Sequence, residues 1–580
     1  MADEVLEAPP TSAADPEAPA RRWPGVVAVV LCAVFVALGV WQAWSDAPTY
    51  DEPTYVAAGV LALTAHDVTF EDEHPALGKA LAALPVLLAH PVIPPGYRHM
   101  DQHPYAVAFA QAQLRAGKLR LVMLLARLVP LAEAAAVGLL LFRLGRTLFG
   151  PLAGLLAAVV WFADPLTLGL AHLDGVDVPM TLATMLLGWA LLLAVRAPSR
   201  RRLLVLGAAC GGVILANADG LGLAGVALLV VVAAGWRKQR WNAAGRVLPV
   251  AVAGWLSLSA GYAVFDPASV LPYVVVPEPF VQGVGYLLTH DTRPAVGYLL
   301  GWSWTGGRWW YWPLSLAVKV PWALLALVLA GPFAYPRLPR RLRREVLAAF
   351  GVPAVALAIA LLQVKRDIGV RYALPIVALC ALLASPIAEV PSALRSRAVK
   401  DGRPARRRGP AAVAAGGLMA AAAAVAVVET VGSAPHSLAW VNPGLGPSYQ
   451  VASNSSQDWG QDFYSLRRWA TPRKAFVAYS GLALTVGDIP GARPLLVRRA
   501  GRLVAVDPRT VTGWVAVSSS VLTAGGYSQL GWLRAYCPVG QLDGTILLYD
   551  FLAAPTGVAA PVEPAGLCRS GSDGSVAASR

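Results

Sequence analysis

Apolar residues run along this chain in long stretches divided by short polar segments. Eleven such stretches, near 24–44, 119–142, 150–171, 178–196, 203–218, 220–236, 247–264, 313–333, 347–363, 373–390 and 411–430, read as helices. A helix crossing the bilayer core needs roughly 17–25 apolar residues, and most of the stretches meet that. Residues 77–92, "LGKALAALPVLLAHPV", are apolar but short and hold two prolines. A span there would invert every later loop, so an interfacial or re-entrant helix is expected. After 431 the pattern changes to short alternating runs such as "RKAFVAYSGLAL", "GWVAVSSSVL" and "GTILLYDF". These predict a small mixed domain with strands, preceded by a helix at "SQDWGQDFYSLRRWA".

The expected fold class is an all-α polytopic membrane protein of about eleven transmembrane helices with a small C-terminal α/β extracytoplasmic domain. The expected divisions are a disordered cytoplasmic N-terminus (1–20), a transmembrane domain (21–430) with outer loops 45–118 and 265–312, the C-terminal domain (431–570) and a disordered tail (571–580). Composition agrees: 56% of the 580 residues are hydrophobic and 14% charged, too apolar for an ordinary soluble protein.

The net charge of +14 does not point to nucleic acid. The bases sit in short loops, "FRLGR" (142–146), "RAPSRRR" (196–202), "RKQRW" (237–241), "RLPRRLRR" (337–344) and 395–408, which all fall on one side of the expected spans. The positive-inside rule makes that side cytoplasmic. Arg21 and Arg22 precede the first span, which reads as a signal anchor because no small-residue cleavage site stands out. The expected location is the cytoplasmic membrane, multi-pass, with the N-terminus inside and the C-terminal domain outside. Of five cysteines, none has metal-site spacing; Cys537 and Cys568 share the polar tail and could pair outside the cytoplasm.

The groups that could carry chemistry all fall on the outer side. They are Asp51 and Glu52 in "YDEPTYVAAG", Glu71 to His74 and Lys79 in "EDEHPALGK", His172, Asp174 and Asp177 in "HLDGVDVP", Lys319 in "LAVKVP", and Lys365, Arg366, Asp367 and Arg371 in "KRDIGVRY". Each has a plain alternative. Asp51–Glu52 suits a solvated loop, Asp174 and Asp177 suit helix caps, His74 a packed surface histidine, Lys319 a snorkelling lysine, and Arg371 an anchor. Taken together, charges at the surface of a helical bundle are costly to bury and usually have a job. A carboxylate within reach of a hydroxyl can act as base. A lysine or arginine can hold a phosphate leaving group and stabilise its developing charge. Because nucleotides are lacking outside a bacterial membrane, an outward-facing transferase would use a lipid-borne donor.

The order and spacing of "YDEPTYVAAGVLALTAHDVTFEDEHPALGKALAALPVLL", "DGVDVP", "GYLLGWSWTGGRWWYWPLSLAVKVP", "RYALPI" and "NSSQDWGQDFYSLRRW" resemble the class-C membrane glycosyltransferases. Within them the group holding protein O-mannosyltransferases and the aminoarabinose transferases of lipid A is most similar. The resemblance implies inverting transfer from a polyprenyl-phosphate sugar to an acceptor hydroxyl or phosphate on a protein, lipid or cell-wall glycan. It implies Asp51 as base, with Glu52 beside it and Asp177 as a second acid. Lys79 would hold the donor phosphate, with Arg371 or Lys319. Glu73, His74 and Asp174 stand as secondary candidates on the acceptor side. No metal ligand is assigned and no cofactor is required, although the acids could bind a divalent ion. Two departures, "NAD" at 217–219 where relatives often carry a lysine and Ala76 where they carry a second proline, bear on the donor sugar. A flippase of lipid-linked sugars and a non-catalytic scaffold are the rival readings.

Overall fold

The computed structural model describes residues 22–236, 243–270, 276–290, 293–390, 410–499, 502–523 and 528–551. The expected segments 1–20 and 571–580, and Cys568 of the expected disulfide, lie outside the described residues.

The chain is mostly helical. Seven described helices are long and apolar enough to cross a membrane: Trp23–Ser45, Leu119–Leu148, Asp177–Arg196, Gly245–Phe265, Arg340–Leu361, Val370–Glu389 and Val413–Ser433. Two further pairs are bent, Pro151–Phe162 with Pro165–Ala171 by 63° and Tyr311–Lys319 with Trp322–Arg337 by 120°, and counting each as one span gives nine. The expected eleven is not reached, because Arg200–Ala216 and Gly220–Trp236 have 17 residues each and the first opens on three arginines. Both bends have a local cause. Asp164 precedes Pro165 and its carboxylate accepts from Leu166 N at 3.1 Å and Thr167 Oγ1 at 2.9 Å, starting a new helix at the kink. The second break falls at Val320–Pro321.

Residues 77–92 form the short apolar helix Ala76–Val86 with a final turn at Leu87–Ala89. It lies against the helix Glu52–Thr64, and contact between them is close enough to demand glycine. A Cβ on Gly59 would lie 2.1 Å from the carbonyl oxygen of Lys79. The aromatic segment 265–312 contains a helix, Glu278–His290, and a hairpin pairing Val296–Leu299 with Trp302–Thr305.

The strand-rich part of the tail is a five-stranded sheet in the order Arg493–Pro494, Phe476–Ala478, Trp514–Ser518, Ile546–Asp550, Gly540–Leu542. The first three strands are parallel, with Val477 opposite Ala516, and the last two pairings are antiparallel. The helix at the "QDWGQDFYSLRRW" segment spans Phe463–Arg473, and its Phe463, Leu466 and Ala470 are buried. Before it, residues 453–462 form a polar but buried bridge. Asp458 accepts from Ser518 Oγ at 2.6 Å and Ser520 N at 2.8 Å on the sheet. The same segment holds the membrane bundle: Ala47 N donates to Gln461 O at 2.7 Å, Tyr50 N to Trp459 O at 3.0 Å, and Val370 N to Ser456 Oγ at 2.8 Å.

Candidate active site

Three stretches far apart in sequence meet at the end of the bundle where Trp23–Ser45 finishes. Asp51 stands immediately before the helix Glu52–Thr64, whose start is fixed by Pro53 in its first turn. Asp177 opens the helix Asp177–Arg196. Arg371 lies in the turn Val370–Ala373 that leads into Leu374–Ala384. The Arg371 guanidinium bridges the two acids, with Nη2 3.0 Å from Asp51 Oδ2 and Nη1 3.7 Å from Asp177 Oδ2. It also lies over the rings of Trp459, at 4.4 Å, and Tyr372, at 4.9 Å. Arg371 is buried, yet its Nε and Nη1 make no hydrogen bond with the protein. The guanidinium thus keeps Nη1 toward Asp177, while on its Nε/Nη2 edge, the planar fork that suits phosphate, Nε is unpaired beside the Nη2 that faces Asp51.

Tyr55 forms a wall of this cluster. One turn after Asp51 on its helix, it is buried and packs edge-on to His74 at 5.5 Å between ring centres. Burial, and then the charge of Asp51, push the Tyr55 phenol well above its ordinary value, so it remains a donor. Asp177 is within electrostatic reach of Arg371, His74 and Asp51. Glu73 is within reach of His74, Glu71, Asp51 and Arg366. Burial, followed by the charges of Glu71 and Asp51, raises the Glu73 carboxyl against the opposing pull of His74 and Arg366.

The loop 71–79 that carries Glu73 and His74 is clamped from within. Lys79 is buried, and its ammonium donates to Glu71 O at 2.6 Å, to His74 O at 2.7 Å and to the Glu71 carboxylate. His74 Nδ1 lies 3.2 Å from Glu71 Oε1. Burial would raise the Glu71 carboxyl, but the charges of Lys79 and His74 outweigh it and hold the group at about 2. Burial works against His74 protonation, and Glu71 more than reverses it, leaving the imidazole above its ordinary value. Lys79, expected on the donor phosphate, thus has all three of its donors engaged by its own loop. Its place is to shape the loop that flanks the acids.

Glu52 and Asp174 also sit apart from the open cluster. Glu52 is fully buried beneath Asp51 and receives Arg127 Nε at 2.7 Å, Arg127 Nη2 at 2.6 Å, Thr49 N at 2.8 Å, Thr49 Oγ1 at 3.0 Å and Asp174 N at 3.0 Å. Burial would raise its carboxyl; Arg127 wins and holds it below the ordinary value. A carboxylate with five donors supports the turn and does not face a reactant. The remaining Arg127 donors go to the carbonyls of Ala43, Asp46 and Ala47, so the guanidinium closes the end of the first span. Asp174 is buried, its Oδ2 has no hydrogen bond, and burial followed by the charge of Glu52 raises it well above the ordinary value.

Lys319 lies elsewhere. It is fully buried at the 120° bend and donates to Leu438 O at 2.7 Å and to Trp440 O. Asn442 completes that junction by donating to Ala317 O at 2.9 Å and Val320 O at 2.7 Å, while its carbonyl accepts from Trp322 N at 3.1 Å. Lys319 is thus a strap holding the tail to the bend, not a ligand beside Asp51.

Among the described residues, two groups of side chains could hold a metal ion. Glu71, Glu73 and His74 form one, and His436, Asp462 and Asp543 the other, each with its ligand atoms within 4.8 Å of one another. In the first, Glu71 is already neutralised by Lys79. In the second, His436 stands between Asp462 at 3.5 Å and Asp543 at 3.3 Å; burial disfavours its charge, and the two acids overcome this to raise it to about 9. A metal there would have to displace the proton of His436.

Residues 109–260 match the family model of dolichyl-phosphate-mannose-protein mannosyltransferases. The matched segment holds Arg127, Asp174 and Asp177 but neither Asp51 nor Arg371. No curated protein matches the chain in sequence. Among solved structures, the chain is similar to apo ArnT from Cupriavidus metallidurans, at 13% identity over 90% of this chain and 97% of that one, with a TM-score of 0.48. It is also similar to the Archaeoglobus fulgidus oligosaccharyltransferase tethered to an acceptor peptide, at 12% identity over 91% of this chain and 74% of that one, with a TM-score of 0.49. The resemblance to class-C membrane glycosyltransferases read from the sequence is supported by the family match.

Proposed function

We propose that this chain, a multi-pass protein of the class-C membrane glycosyltransferase type, transfers a sugar from a polyprenyl-phosphate donor to an acceptor at the outer face of the cytoplasmic membrane. The observation that carries the reading is the Asp51–Arg371–Asp177 bridge, a buried arginine between two acids at the end of the spans with its Nε unpaired. The family match over 109–260 supports the reaction class, and the bridge supports the roles.

In this reading the donor phosphate takes the Nε/Nη2 edge of Arg371 and displaces Asp51 from Nη2, while Nη1 stays on Asp177. The freed carboxylate then takes the proton of an acceptor hydroxyl. The hydroxyl oxygen attacks the anomeric carbon from the face opposite the phosphate, the carbon–oxygen bond to phosphate breaks, and the phosphate leaves with the electron pair on Arg371. Configuration inverts. Asp177 keeps Arg371 oriented through the step, and Tyr55 donates to the oxygens that gain charge. Glu73 and His74 border the acceptor side. Lys79, Glu52 and Asp174 position these groups without touching the substrates, and Lys319 holds the tail in place.

The test is transfer in proteoliposomes with a labelled polyprenyl-phosphate sugar. Asp51→Asn is expected to lose transfer by a factor of about 100 or more with a hydroxyl acceptor, the range of a lost general base, while inserting normally. Full activity in that variant removes Asp51 as base. An ionised phosphate acceptor needs no base, so that result would also direct the search to phosphate acceptors. Arg371→Gln is expected to raise the donor KM and lower kcat; unchanged donor kinetics would take it off the phosphate.

A further inference from the structure

We propose that a second site, separate from the acids, binds the phosphate of an anionic glycerophospholipid and fastens the tail to the bilayer surface. It is an open surface depression lined by Arg120, Tyr464, Arg467, Arg468, Thr471 and Pro472. Every polar side chain in that lining is a hydrogen-bond donor or a cation, and none is a carboxylate. On the helix Phe463–Arg473, the four residues Tyr464, Arg467, Arg468 and Thr471 fall at i, i+3, i+4 and i+7, one face, opposite the buried Phe463, Leu466 and Ala470. Arg120 comes from the membrane bundle, one residue inside the start of Leu119–Leu148. Its guanidinium lies over the rings of Tyr464, at 4.5 Å, and Trp44, at 5.1 Å. Its Nε is buried without a hydrogen-bond partner. None of these three arginines is paired with a described carboxylate.

The surroundings point to a lipid and not a soluble anion. Trp41 and Trp44 are exposed at the end of the span Trp23–Ser45, whose Val26, Val29 and Val30 are also exposed. Tryptophans at the end of an apolar stripe mark the headgroup boundary. This span runs antiparallel to Leu119–Leu148: a Cβ at Gly39 would meet Leu131, and one at Gly25 would meet Phe142. Arg120 and Trp44 therefore share the boundary, and the depression opens where headgroups stand. Clustered arginines at that depth attract an anionic headgroup by charge and by donor geometry.

Native mass spectrometry of the full chain in neutral detergent tests it, with phosphatidylglycerol and phosphatidylcholine as probes. The wild type is expected to retain one phosphatidylglycerol about tenfold more tightly than phosphatidylcholine. Arg120→Gln, Arg467→Gln and Arg468→Gln are each expected to weaken phosphatidylglycerol by roughly fivefold, and the triple variant by about a hundredfold. Thermal unfolding in detergent reports whether each variant is folded. If the triple variant is not, the exposed positions 467 and 468 decide the matter alone. Equal binding of the two lipids, or unaltered phosphatidylglycerol binding in the folded variants, overturns the proposal. So does equal displacement of the lipid by inorganic phosphate, which assigns the depression to a soluble anion, or stronger retention of a polyprenyl monophosphate, which makes it a carrier site.

Discussion

Arg127 lies well inside an apolar run, and its guanidinium has every donor group engaged, by Glu52 and by three carbonyls at the end of the first span. Charges in such runs are rare and need a partner, so the sequence itself carried a sign that Glu52 was spoken for. Asp51 and Glu52 are neighbours with opposite fates: one faces the cluster, the other is locked below it. Arg127→Met is expected to destabilise the protein by about 3–5 kcal/mol, since it strands a buried carboxylate, and thermal unfolding in detergent measures this. Glu52→Gln with Arg127→Met together are expected to recover a large part of the loss.

The Glu71 clamp has a pH signature. Its carboxyl is lowered from 4.5 to about 2, so its stabilisation is complete above about 4.5 and is lost as pH falls through about 2. His74 is raised above 6.5, so its contribution is complete below that value and is lost as pH rises through its folded value. The clamp is whole between about pH 4.5 and 6.5. The Tm advantage of wild type over His74→Gln is expected to be greatest there and to shrink on the alkaline side; a pH-independent difference would contradict the pairing. Asp51, Asp177 and Arg371, picked out from the sequence as candidates, are brought together by the fold. The sequence could not show which of several cations was already taken, because that depends on carbonyls such as Leu438 O and His74 O that carry no residue signature.

At the level of elements, apolar run length located the helices well, and all eleven expected stretches coincide with helical segments. What run length could not reveal was direction. Breaks at Asp164–Pro165 and Val320–Pro321 turn two runs by 63° and 120°, and prolines alone do not fix the angle, since Pro130 and Pro249 sit inside continuous helices. The larger bend is pinned by Asn442, which serves Ala317, Val320 and Trp322 from the tail side. Asn442→Ala is expected to cost about 2–4 kcal/mol, because it leaves buried backbone groups unpaired. Faster hydrogen exchange at 317–322 would register it, and unchanged exchange there would remove Asn442 as the pin.

For the whole molecule, the tail and the bundle are parts of one site. Trp459 lies over Arg371, while its carbonyl accepts from Tyr50 N, next to Asp51. The alternating runs of the tail foretold strands but not this contact, since the stretch from Ser456, expected as the start of a helix, is a buried bridge up to Asp462 with the helix beginning at Phe463. A chain shortened to residues 1–433 is therefore expected to lose transfer in proteoliposomes, and full activity would show the tail to be dispensable. Trp459→Ala is the finer probe: loss of the cation–π contact, about 0.5–2 kcal/mol, is expected to raise the donor KM, and an unaltered KM would separate Trp459 from the arginine.

This bridge also sets an order of events during synthesis. Position 51 leaves the ribosome about 400 residues before position 459, so an unfinished chain already carries both acids and the arginine but lacks the segment that seats them. The Asp51–Arg371–Asp177 cluster therefore gains its Trp459 contacts only after residues 453–462 have been made and brought against the bundle.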